Sequence, residues 1–75
     1  MEFRIMLNSV EDAVRFVNTL GYHNYQADAV FETFKLDARS LLGILGYGIG
    51  RVITILLYEE PDEDLCYFMK EYAAA

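Results

Sequence analysis

Several residue types are nearly missing from this 75-residue chain: it has one cysteine, one proline, one histidine and no tryptophan. The lone Cys66 excludes an internal disulfide and a Cys-rich zinc site. Basic side chains number 6 against 12 acidic ones, giving a net charge of −6. Phosphates would be repelled by that balance, so a nucleic-acid partner is not expected. No signal peptide, linker, repeat or low-complexity tract is read in the sequence, and with a single thiol an intracellular, cytoplasmic location is expected.

What is present is apolar. Hydrophobic residues make up 55% and aromatics 15% of the chain, too much for a disordered polymer and enough for one small core. Residues 1–75 are therefore read as a single domain. Leu41 to Tyr58 is a long apolar stretch, but Arg51 and four glycines interrupt it. A charge near mid-membrane costs roughly 2.5–3.5 kcal/mol, and a short helix, a glycine turn and a buried strand account for the same letters.

The periodicities place seven elements. Glu2 to Leu7 alternates, with Phe3, Ile5 and Leu7 on one face, as a half-buried strand does. Ser9 and Asp12 have capping-box spacing ahead of Val10, Ala13, Val14, Val17 and Leu20, predicting a helix over about residues 10 to 20 that ends at Gly21. Tyr25 to Ala29 and Phe34 to Leu36 alternate as two strands around a turn near Phe31 to Thr33. Ser40 caps a short helix over Leu41 to Leu45, ended by Gly46, Gly48 and Gly50. Arg51 to Tyr58 is apolar on both faces and β-branched, as a central strand is. Pro61 opens a last helix with the apolar stripe Leu65, Phe68, Met69 and Tyr72, and Ala73 to Ala75 is expected to fray. The order β-α-β-β-α-β-α makes an α+β domain with helices on one face of a mainly antiparallel sheet.

That order, the helix opening directly after the first strand, and LDARSLLGILGYGIG at Leu36 to Gly50 resemble the HPr family, the small phosphocarriers of the bacterial sugar phosphotransferase system. The resemblance spans nearly the whole chain and is most specific at Asp37-Ala38-Arg39-Ser40 before the apolar helix. It implies an open-faced β-sandwich, a four-stranded antiparallel sheet with three helices on one face. It also implies that Ser40, where the family's second helix opens, is a target of HPr kinase. Arg39, Leu41, Leu42 and Leu45 then form a surface for protein partners, such as an HPr kinase or a regulator. The chain departs from the family where its phosphate is carried. Aligned on Phe16-Val17, Ser9 stands at the family's phospho-histidine position and Glu11 at its arginine, so neither acceptor nor cation remains and docking to enzyme I is doubtful.

Each candidate residue also has a plain reading. Ser9 and Ser40 can be helix caps only. Leu41, Leu42 and Leu45 can be core or a homodimer contact. His23, beyond the first helix, lies at the wrong end for an anion. Gly46 to Gly50 follows a helix and precedes a strand, the reverse of a nucleotide loop. Glu59, Glu60, Asp62, Glu63 and Asp64 lack the ligand pattern of a calcium loop, so no metal or cofactor is expected. Cys66 has no base beside it in sequence, so no catalytic group is assigned and no enzyme activity is expected. Three functions stay open: a non-catalytic HPr-like regulator, a phosphocarrier with an unusual acceptor at Ser9 or His23, and an interaction module keeping only the fold.

Overall fold

A computed structural model describes residues 1–74. The elements are β1 (Glu2–Met6), α1 (Val10–His23), β2 (Ala27–Val30), β3 (Lys35–Asp37), α2 (Leu41–Tyr47), β4 (Val52–Leu57) and α3 (Glu63–Glu71). The sheet has the order β1-β4-β2-β3, antiparallel at each pairing. β4 is central, as its apolar run requires, and no helix of the described residues is long and apolar enough to cross a membrane.

Alternation along the strands sorts their side chains. Ile5, Ala27, Ala29, Ile53, Ile55 and Leu57 are buried beneath the helices. The intervening Arg4, Val52 and Lys35 are exposed on the open face, with Thr54 and Leu56 half-buried there. Phe16 and Leu20 of α1 and Leu65 and Met69 of α3 complete the core. Phe16 stacks on Phe68 at 6.0 Å and meets the Tyr72 ring edge-on at 6.2 Å, which fastens α1 to α3.

Three expectations need correction. α1 does not stop at Gly21 but runs to His23, because Asn24 takes the left-handed conformation at φ 58° and donates its N–H to the Gly21 and Leu20 carbonyls. His23 therefore closes α1 rather than lying beyond it. α2 continues through Gly46 and Tyr47 to a cap at Gly48, and Gly50, at φ 77°, is the glycine its loop requires. Ala73 and Ala74 do not fray: Ala73 bridges Ile5, and Ala74 N–H donates to Arg4 O at 2.9 Å. Ala75 lies outside the described residues.

Candidate functional site

The chain brings the two serine-capped helix starts to the same layer but not to the same point. Leu7, at the end of β1, makes a parallel bridge to Ile49, and Gly50 N–H donates to Leu7 O at 2.8 Å. That pairing sets the loop leaving α2 beside the turn that opens α1. Ser40, at the other end of α2, is then separated from that loop by a seven-residue helix, roughly 10 Å at 1.5 Å per residue.

At the start of α1, Ser9 is extended and its Oγ accepts from Asp12 N–H at 3.1 Å. Asp12 Oδ2 reaches back to accept from Asn8 N–H at 3.3 Å, so serine and carboxylate cap the turn reciprocally. Glu11 and Asp12 already place negative charge at the positive end of the helix dipole. That turn carries two carboxylates and no cation.

At the start of α2 the arrangement differs. Asp37 Oδ1 accepts from Arg39 N–H at 2.9 Å and lies 3.7 Å from Arg39 Nε, while Asp37 O accepts from Ser40 N–H at 2.9 Å. Ser40 Oγ accepts from Gly43 N–H at 3.3 Å. Ser40 is half-buried, and its helix carries no acidic residue in its first turn. Arg39, expected on the partner surface, is engaged with Asp37.

The apolar residues of α2 divide by face. Ile44 is buried, and Leu41 and Leu45 are half-buried against the core. Leu42 is 85% exposed, which no core requirement explains. Three aromatics that were not singled out from the sequence form a cluster where the β2–β3 turn meets the end of α2. Phe31 stacks on Phe34 at 4.8 Å, and Phe34 meets Tyr47 edge-on at 5.2 Å, with Phe34 and Tyr47 both exposed. Along α1, exposed Val10 and Tyr22 and half-buried Val14 line a shallow groove with Glu11, Arg15 and Asn18.

His23 sits at the far end of α1, roughly 20 Å from Ser9 along a 14-residue helix. Its Nδ1 lies 3.8 Å from Asp62 Oδ2, and its ring packs against Tyr22 and Tyr25. Asp62 Oδ1 caps α3 by accepting from Leu65 N–H at 2.8 Å, and Asp62 N–H donates to Tyr25 Oη. These contacts tie α1 to α3 in a structural cluster. Cys66 is half-buried on α3. On the open face, the Tyr58 hydroxyl donates to Asp28, whose Oδ2 also lies 3.6 Å from Lys35 Nζ. The bond to Asp28 holds the Tyr58 phenol above its ordinary pKa.

No protein-family model matches the sequence, and no curated protein matches it. Among solved structures, the crystal structure of HPr-C-His from Thermoanaerobacter tengcongensis superposes with a TM-score of 0.72 over 95% of this chain and 88% of that one. The fold is that of HPr. Sequence identity between the two is 20%, so the shared property is the architecture. In the HPr fold, the four antiparallel strands and three helices of this chain fall in the order β-α-β-β-α-β-α.

Proposed function

We propose that residues 1–75 form one HPr-like module of the cytoplasmic phosphotransferase system that binds protein partners without carrying phosphate, and that phosphorylation of Ser40 switches it. The observation that supports this reading is the contrast between its two serine caps. Ser9 caps a first turn that carries Glu11 and Asp12, whereas Ser40 opens a helix free of acidic residues and adjoins exposed Leu42. A large aliphatic side chain left 85% exposed at the start of α2 has the character of a docking point. A phosphate on Ser40 would bring about −1.5 to −2 charge to that rim and give Arg39 a stronger partner than Asp37. Partner affinity at Leu42 would change with it. This reading assigns no nucleophile or general base to the module and takes it as a binding module, not an enzyme.

The test is incubation of the full chain with HPr kinase and ATP, followed by intact mass. One added phosphate that disappears in Ser40→Ala is the expected result. A phosphate retained in Ser40→Ala removes Ser40 from the account. The docking arm is tested separately: Leu42→Ser should weaken retention by the same kinase, and unchanged retention overturns the surface.

A further inference from the structure

The outer edge of β1 carries a pattern that the docking surface does not use. Leu57 N–H donates to Met1 O at 2.8 Å and the Met1 amine donates to Leu57 O at 2.9 Å, making these two a bonded pair across β1 and β4. Bonded and non-bonded pairs alternate along an antiparallel ladder, so Phe3 with Ile55 and Ile5 with Ile53 are the next bonded pairs. Glu2, Arg4 and Met6 therefore turn their backbone groups away from the sheet. The C-terminal segment covers part of that edge: Met6 N–H donates to Tyr72 O and Ala74 N–H donates to Arg4 O, both at 2.9 Å. Among the described residues, nothing pairs with Glu2 on that side. An open strand edge is a template for another strand, and among the described residues the segment Tyr72 to Ala74 is what guards it.

We propose that the β1 edge is a self-association surface, on which release of Ala74 from Arg4 lets a second copy of this chain add its own β1 antiparallel about a two-fold axis through Phe3. Charge selects that register. Bonded pairs at the new seam must join outward-facing residues, which leaves Glu2, Arg4 and Met6. An axis through Glu2 opposes two carboxylates, and an axis through Arg4 opposes two guanidinium groups. An axis through Ile5 sets Arg4 against Met6. Only the axis through Phe3 sets Glu2 of each copy opposite Arg4 of the other, and opposite charges directly across a seam favour pairing while like charges oppose it. Both side chains are exposed on the helix-free face, and neither makes an ion pair among the described residues. The half-buried Phe3 then meets its own copy as a non-bonded pair, the closer of the two spacings. The result is an isologous dimer with one continuous sheet.

The strap need open only at its end. The Met6–Tyr72 bond lies beyond the new seam, and Arg15 Nη2 holds Glu71 Oε2 at 3.0 Å behind it.

Sedimentation of the full chain across a range of concentrations tests the proposal. Ala74→Pro deletes the N–H that donates to Arg4, and its mass should double as concentration rises while the parent chain doubles only at higher concentration. Adding Arg4→Glu to Ala74→Pro should return it to monomer, and adding Glu2→Arg to both should restore the dimer. Amide protection at Ile53 and Ile55 shows that each variant is folded. Glu71→Gln, which loosens the strap at its root, is a second route that should shift the equilibrium the same way. A folded Ala74→Pro chain that stays monomeric throughout overturns the proposal, as does a dimer indifferent to Arg4→Glu.

Discussion

Gly50 donates its N–H to the carbonyl of Leu7 at 2.8 Å, and this bond joins the loop after α2 to the turn that begins α1. The two residues lie far apart in sequence, and Gly50 reaches the position with φ at 77°, where a side chain is strained. Replacing Gly50 with Ala should cost roughly 1 kcal/mol by that strain. Urea unfolding is the check. The open space around Gly50 means a larger loss would point to a crowding that the geometry does not contain.

Gly48 is constrained for a different reason. A Cβ there would lie 2.9 Å from Ile44 O and 3.0 Å from Ile53 Cδ1, so backbone and core must both move. Gly48→Ala should destabilise by about 1–3 kcal/mol, as overpacking does, and should lower the thermal midpoint more than Gly46→Ala, whose Cβ meets nothing.

Leu42 and Ile44 stand two residues apart and should behave oppositely. Ile44 is fully buried, and Ile44→Ala should cost about 2–5 kcal/mol. Leu42→Ser should change stability by no more than about 0.5 kcal/mol while weakening partner binding. A Leu42→Ser chain that unfolds as readily as Ile44→Ala would place Leu42 in the core.

Tyr72 Oη is buried with no hydrogen-bond partner among the described residues. Removing a buried, unsatisfied hydroxyl relieves a desolvation cost, so Tyr72→Phe should be neutral or stabilising by up to about 1–3 kcal/mol in denaturant unfolding. A clear destabilisation would contradict the packing around Phe16 and Phe68.

The Tyr58 phenol is held protonated by its bond to Asp28, so its folded pKa lies above the ordinary value of 10.0. A raised folded pKa means that the bond's contribution is fully present below pH 10 and is lost as pH rises through the folded value. Phenolate absorbance of the parent chain minus that of Tyr58→Phe should show one tyrosine ionising above pH 10, returning toward the ordinary range in Asp28→Asn. Ionisation of Tyr58 at or below that pH contradicts the bond.

The elements were legible in the sequence because period and cap agreed. Phe3, Ile5 and Leu7 alternate and lie on the core face, and Ser9 and Ser40 stand at the helix starts they cap; the last helix, expected to open at Pro61, is instead capped by Asp62 and begins at Glu63. The helix ends were less so. Gly21 has the residue type of a stop signal but Asn24 adopts the left-handed turn, because α1 gains another turn in which His23 and Tyr22 pack. Ala73 and Ala74 carry no side-chain signal for a strand, since their role is backbone pairing with β1. The site was half legible. Its serines are local features, but the cluster of Phe31, Phe34 and Tyr47 forms only when the β2–β3 turn meets α2. That Leu41 and Leu45 lean on the core while Leu42 faces water depends on the rotation of α2, which a seven-residue helix does not reveal by period.

The central claim, that this HPr fold binds partners without carrying phosphate, is tested most directly by incubating the chain with enzyme I and phosphoenolpyruvate and measuring its intact mass. The account predicts no added phosphate, because Glu11 and Asp12 put negative charge on the turn that Ser9 caps and His23 lies at the opposite end of α1. An acid-labile phosphate on the chain would contradict it, and its loss in Ser9→Ala or His23→Ala would name the acceptor.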